Sequence, residues 1–170
     1  MKIVCFSYNS LPQNDAEAFC TARFLSALAN QGVDIHLVTM DHEPQIDEVS
    51  TAALLDPRIK VTRIKCNSFS ANGFFFRNNL SDIVRYQYTG LGSADLSNCI
   101  SVLKKIIRQY DNPILLTRSY PAISNIVGYY CKDETDFWIA HFGDPYPGFG
   151  MYSRRNYWKY YMDHIWANKI

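Results

Sequence analysis

The chain has 170 residues, 48% hydrophobic and 19% charged, with 17 Lys+Arg against 16 Asp+Glu and a formal net charge of +1. That length suits a single domain with a sizeable core, and the balanced charge excludes both a disordered chain and nucleic-acid binding through bulk charge. No stretch nears the roughly 18 apolar residues of a membrane span, and Ile3 to Phe6 is too short for a signal-peptide core, so a cytoplasmic protein is expected. Lys2 to Ser7 reads as a buried strand through Ile3, Val4, Cys5 and Phe6. A polar loop, Tyr8 to Asn14, follows and contains Pro12. Asp15, or Asn14, is placed to cap a helix with Glu17 in its first turn, and Ala18, Ala22, Leu25, Leu28 and Ala29 form one apolar face. Gly32 stops that helix, and Asp34 to Met40 is the second strand. Strand, helix and strand in so few residues make a right-handed βαβ unit and hence a parallel sheet.

The remainder repeats this grammar. A short helix is predicted near 47–55, a third strand over 59–66, and a long loop over 67–79 that holds Phe74, Phe75 and Phe76. Helices follow within 80–89 and over 95–110, the second with Ile100, Leu103, Ile106 and Ile107 in phase. Residues 113–117 form a fourth strand, 121–131 a helix and 136–141 a fifth strand, before a Gly- and Pro-rich turn and a closing aromatic helix over 153–168. In that helix Trp158, Met162, Ile165 and Trp166 recur at helical spacing, which suits a core face. The expected fold is therefore α/β: one doubly wound, mostly parallel sheet over residues 1–170, helices on both faces, strand order 3-2-1-4-5. Cys5, Cys20, Cys66, Cys99 and Cys131 are widely spaced, odd in number and without a Cys-x-x-Cys pair. They form neither a disulfide framework nor a zinc site, so buried reduced thiols and no metal are expected.

Open α/β sheets bind ligands at the carboxyl ends of their strands, near the switch point of strand order. The residues delivered there are Asn9, Ser10, Asn14 and Asp15 after the first strand, Arg118, Ser119 and Tyr120 after the fourth, and His141, Asp144 and Tyr146 after the fifth. Three chemistries are excluded. The first loop has no Gly-x-Gly-x-x-Gly, no Gly-Lys-Ser/Thr phosphate loop exists, and Gly90-Leu91-Gly92-Ser93 does not have the spacing of a nucleophile elbow. A phosphoacceptor domain lacks its acidic pair after the first strand. The helix start near Asp15 offers N–H groups and a positive dipole end to an anion, and Arg118 could clamp one. Against this stand plainer roles: Asp15 as a cap, His141 as a satisfied core group, Asp144-Pro145 as the start of a turn.

Several segments together resemble the amino-terminal half of the GT-B glycosyltransferases of the large retaining family (family 4-like). Lys2-Ile3-Val4 through Gly32-Val33-Asp34-Ile35-His36-Leu37-Val38-Thr39 is similar to that family's opening strand, loop, helix and "Gly-His-x-Val-x-Val-x-Thr" strand. Leu116-Thr117-Arg118-Ser119-Tyr120-Pro121 resembles its "Ser-Arg-Ser-x-Pro", and Trp138-Ile139-Ala140-His141-Phe142-Gly143-Asp144-Pro145-Tyr146 its "Trp-Ile-Ala-x-Phe-x-Asp-Pro-Trp". The resemblance implies a Rossmann-like domain forming the acceptor wall of a cleft. A sugar would pass, with retained configuration, from a nucleotide-sugar co-substrate to a saccharide or lipid-linked acceptor, without a bound cofactor or metal. It implies His141 and Asp144 as catalytic residues, and Asn9, Ser10, Asn14, Asp15, Arg118, Ser119 and Tyr146 as substrate-binding. It also implies a C-terminal donor-binding domain or partner subunit, so that this chain alone would be nearly inactive. The chain departs from the family in two places. Pro12-Gln13-Asn14-Asp15-Ala16 stands where many members have Gly-Gly, and Gly143 precedes Asp144 where many have His. The alternative expectation is a non-catalytic domain docking on a partner subunit or at the inner face of the membrane, through Phe74-Phe75-Phe76 and the basic, aromatic stretch from Arg154 to Tyr161.

Overall fold

Ile3, Val4, Cys5 and Phe6 are all buried, because the strand that carries them lies in the middle of the sheet with both faces covered. The computed structural model describes residues 1–41, 43–65, 93–118, 123–143 and 164–170. Its strands are β1 (Lys2–Ser7), β2 (Asp34–Met40), β3 (Lys60–Ile64), β4 (Ile114–Arg118) and β5 (Trp138–His141), in the order β3-β2-β1-β4-β5. Every pairing is parallel. The expected strand order holds, and the sheet is wholly rather than mostly parallel.

The helices are α1 (Ala16–Asn30), α2 (Glu48–Leu54), α3 (Ser93–Ile107) and α4 (Ile123–Cys131), with a 3-10 turn at Lys132–Glu134. Side chains alternate across β1, so each face has its own core. Ile3 and Cys5 pack with Leu25 and Ala29 of α1 on one face. Val4 and Phe6 pack with Leu103 and Ile107 of α3 and with Ile123 and Ile126 of α4 on the other. The fold is thus a doubly wound, Rossmann-like α/β domain. Each large side chain buried in these layers contributes about 1.5–3 kcal/mol.

The ends of α1 are set locally. Asp15 caps it by accepting from the Ala18 N–H at 2.7 Å. At its end the Gly32 N–H bonds the Ala29 carbonyl and the Val33 N–H bonds the Leu28 carbonyl. Gly32 carries a φ of +81°, with nothing within 4 Å of where a Cβ would stand, so a side chain there meets backbone strain and no clash. Gly128 is the opposite case. A Cβ on it would run into the Thr117 side chain and stand 2.8 Å from Trp138 Nε1, so α4 lies this close to β4 and β5 only because position 128 has no side chain. α2 starts at Asp47, which accepts from the Ser50 N–H at 2.7 Å.

Some expected boundaries move. The helix predicted over 95–110 runs over Ser93–Ile107, because Gln109 and Tyr110 bond three residues back and tighten the chain out of the helix. Tyr110 is held there by its hydroxyl, which bonds His36 Nδ1 at 2.9 Å, while His36 Nε2 meets Thr62 Oγ1 at 2.8 Å. Cys5, Cys99 and Cys131 are buried, as expected of reduced thiols, but Cys20 is exposed on α1. Burial pushes the Cys5 thiol up to about 12, although the charge of Arg118 pulls the other way. Trp166 is buried and meets the rings of Tyr129 and Tyr130 at 5.7 and 5.9 Å, a core role. Cys66, the loop at 67–79 with its Phe run, the helix at 80–89, Trp158 and Met162 lie outside the described residues. No helix among the described residues is long and apolar enough to cross a membrane.

Candidate functional site

The last paired residues of the central strands form one row. Thr39 pairs with Ser7, Ser7 with Arg118 and Arg118 with His141. Arg118 and His141 are therefore cross-strand neighbours at the carboxyl edge, and their side chains point to the face that α1 covers. On α1, Glu17, Thr21 and Phe24 recur at the i, i+4, i+7 spacing that makes one stripe, and this stripe meets the two strand ends.

Arg118 is the centre of the cluster, with only 7% of its side chain exposed. Its Nε donates to Thr21 Oγ1 at 3.1 Å and lies 3.9 Å from Glu17 Oε1, too far for a hydrogen bond. Its Cζ sits 4.6 Å from the centre of the Phe24 ring, and the imidazole of His141 stacks on that ring at 6.1 Å and 27°. A guanidinium and an imidazole thus share one aromatic ring, and the Glu17 carboxylate balances the arginine. Two atoms in the cluster have no hydrogen-bond partner. Glu17 Oε1 and His141 Nδ1 are both shielded from water and accept or donate no hydrogen bond. The His141 pKa lies below its ordinary value, first because of burial and then because of Arg118, with Glu17 opposing. The imidazole is accordingly neutral at pH 7.

The opposite face holds β5 in place. Thr117 Oγ1 donates to Asn125 Oδ1 at 2.7 Å and accepts from Trp138 Nε1 at 2.9 Å, and Asn125 Nδ2 donates to the His141 carbonyl at 3.4 Å. The loop after β1 is pinned as well. The Tyr8 N–H donates to Ser124 Oγ at 2.9 Å, and the Ser7 hydroxyl to the Asn9 carbonyl at 2.7 Å.

Arg118 and His141, both nominated by the sequence, stand together. Asn9 is half-buried beside Ser7, and Ser10 is buried with an unpartnered hydroxyl. Asn14 is exposed, and its N–H is tied to Gln45 Oε1 at 2.9 Å. Asp15 is engaged as the cap of α1, and Glu17 stands in the first turn. The anion seat expected at the helix start is therefore already taken by the Asp15 carboxylate. Ser119, Asp144 and Tyr146 lie outside the described residues. Glu17, Thr21 and Phe24 were not nominated. Their shared stripe, one residue out of phase with the apolar face, was the signal available. A groove of about 360 Å³ lined by Pro12, Pro44, Ile46, Ala52, Leu55 and Arg63 lies elsewhere, and includes none of the Arg118 cluster. No group of His, Cys, Asp and Glu among the described residues could hold a metal ion.

Fold and rim together define a doubly wound α/β protein with a charged but balanced cluster at the carboxyl edge of its sheet. Comparison with known protein families and with curated proteins finds no match.

Proposed function

We propose that this chain is the acceptor-side domain of a nucleotide-sugar-dependent glycosyltransferase. One observation carries the reading: Arg118 and His141, from segments distant in sequence, stand in register at the carboxyl rim with unpartnered polar atoms beside them. That is where an open α/β sheet takes its ligand, and the segments bearing these two residues also carry the family resemblance. In this reading the domain orients acceptor hydroxyls, and a donor-binding domain or partner subunit supplies the nucleotide-sugar. The neutral His141 accepts a hydrogen bond from an acceptor hydroxyl through Nδ1, Arg118 donates to acceptor hydroxyls, and the resemblance assigns Asp144 to the same task. Positioning accounts for much of such catalysis, so transfer needs both halves.

The test is two measurements on the isolated chain. Nucleoside diphosphates should leave the amide resonances of the rim unmoved, while saccharide acceptors shift those of residues 17–24, 118 and 141. Incubated with nucleotide-sugars and acceptors, the chain alone should transfer nothing above background. Turnover without a partner would overturn the half-site reading.

A second reading, a non-catalytic domain docking on a partner subunit, is favoured by Phe137 and Ile139, which are 63% and 51% exposed on one side of the chain at β5. Replacing both with Ser and finding the same set of bound proteins in pull-downs would remove it.

A further inference from the structure

The charge balance of the rim narrows what it accepts. Arg118 on its own would draw an anion, since a buried guanidinium is a ready phosphate or carboxylate clamp. Here its neighbour at 3.9 Å is the Glu17 carboxylate, so the pair carries no net charge. Asp15, two residues before Glu17, is turned instead onto the Ala18 N–H as the helix cap. A phosphate entering the cluster would face one cation already paired with a carboxylate, and as a dianion it has no proton donor for the acceptors that are open.

Those acceptors set the second condition. Glu17 Oε1 is shielded from water with no hydrogen bond, which is costly for a carboxylate unless a ligand donates to it. His141 Nδ1 is in the same state on the neighbouring strand. The terminal N–H groups of Arg118 make no hydrogen bond to another described residue, its Nε being engaged by Thr21. The cluster thus presents an open carboxylate acceptor, an open imidazole nitrogen and guanidinium donors around a ring, Phe24, that is 37% exposed. A hydroxyl donates to one partner while accepting from another, so two adjacent hydroxyls satisfy this arrangement, and the apolar C–H face of their ring lies against Phe24.

We infer that this cluster takes the vicinal diol of a neutral sugar ring and rejects a phosphorylated or carboxylated one, with Glu17 setting the choice. Glu17 and Phe24 thereby become binding residues alongside Arg118 and His141. The inference rests on the acceptor-side reading and sharpens it, since a neutral wall leaves handling of the donor diphosphate to other groups.

The experiment is an NMR titration of the full chain with methyl glycosides of glucose, galactose, mannose and N-acetylglucosamine, and with their 6-phosphates. At least one neutral glycoside should shift the amides of Glu17, Thr21, Arg118 and His141, and its phosphate should bind at least about tenfold more weakly. Glu17→Gln keeps the shape and removes the negative charge, so the ratio should fall by about tenfold or reverse. Asp15→Asn, which leaves Glu17 in place, should change it less. Should Glu17→Gln fail to fold, the wild-type ratio decides alone. A phosphate bound as tightly as its parent glycoside, or a ratio unmoved in a folded Glu17→Gln, overturns the inference and leaves the acceptor reading standing. A panel in which no glycoside and no phosphate moves these amides overturns that reading as well.

Discussion

Two histidines in this molecule both sit on strands of the sheet and do opposite things. His36 on β2 is 1% exposed, and both ring nitrogens are engaged, by Tyr110 and Thr62. His141 at the end of β5 is partly buried, and its Nδ1 has no partner. Burial lowers the pKa of both, to about 4 for His36. Perturbed titration therefore does not tell a structural histidine from a site histidine here. The hydrogen-bond ledger does: a satisfied imidazole ties strands and a helix end together, and an open one waits for a ligand.

The largest effect should come from breaking the satisfied one. His36→Ala leaves the Tyr110 and Thr62 hydroxyls facing a cavity and should cost about 2–4 kcal/mol in urea denaturation. His141→Ala should cost less than about 1 kcal/mol. Equal losses would break the comparison.

Next in size is the acid response. In the unfolded chain His36 titrates near 6.5, and in the folded one near 4, because burial and then the charges of Lys60 and Lys2 disfavour the imidazolium while Asp34 opposes them. Between those values the unfolded chain binds more protons. The stability from neutral His36 is thus complete above pH 6.5 and lost progressively as pH falls towards 4, a loss on the order of 1–3 kcal/mol. Urea midpoints across pH 7.5 to 4.5 measure it, and a folded His36→Gln should flatten the slope. An unchanged slope would assign acid sensitivity to other groups.

Asn125→Ala should cost about 1–3 kcal/mol by leaving buried Thr117 and the His141 carbonyl without their link. It should also weaken sugar binding at the rim, read by the same amide shifts, which a purely structural asparagine would leave alone. The smallest stability change belongs to Phe24→Leu, within about 0.5 kcal/mol because the ring is at the surface. Its effect should appear in glycoside affinity, as a loss of several-fold or more. An affinity unchanged by this substitution would remove Phe24 from the site.

Much of this architecture is legible in the chain. β1 and β2 fall over the expected residues, because a central parallel strand buried on both faces reads as a nearly continuous apolar run, and His36 within β2 is accommodated by its two hydrogen bonds. Asp15 and Gly32 bracket α1 for local reasons, a side-chain cap and a left-handed residue. The outer strands β3 and β5 are shorter than expected, since residues at a sheet margin keep their propensity but lose their pairing partners. Arg118 and His141 were readable as rim residues because they end strands. Glu17 was not, because an acidic residue in a first helical turn is accounted for by the helix dipole alone.

The sequence by itself determined the alternation of strand and helix, the parallel sheet and the row of residues at its carboxyl edge. These follow from hydrophobic period and from local capping, which act over a few residues. Only the tertiary structure decided that Glu17 lies beside Arg118, that Phe24 lies between Arg118 and His141, and which of the two histidines keeps an open nitrogen. Those facts depend on where α1 crosses the sheet and on how α4, packed tight at Gly128, holds β5. Such contacts join residues about a hundred positions apart, and no periodicity along the chain encodes their distances.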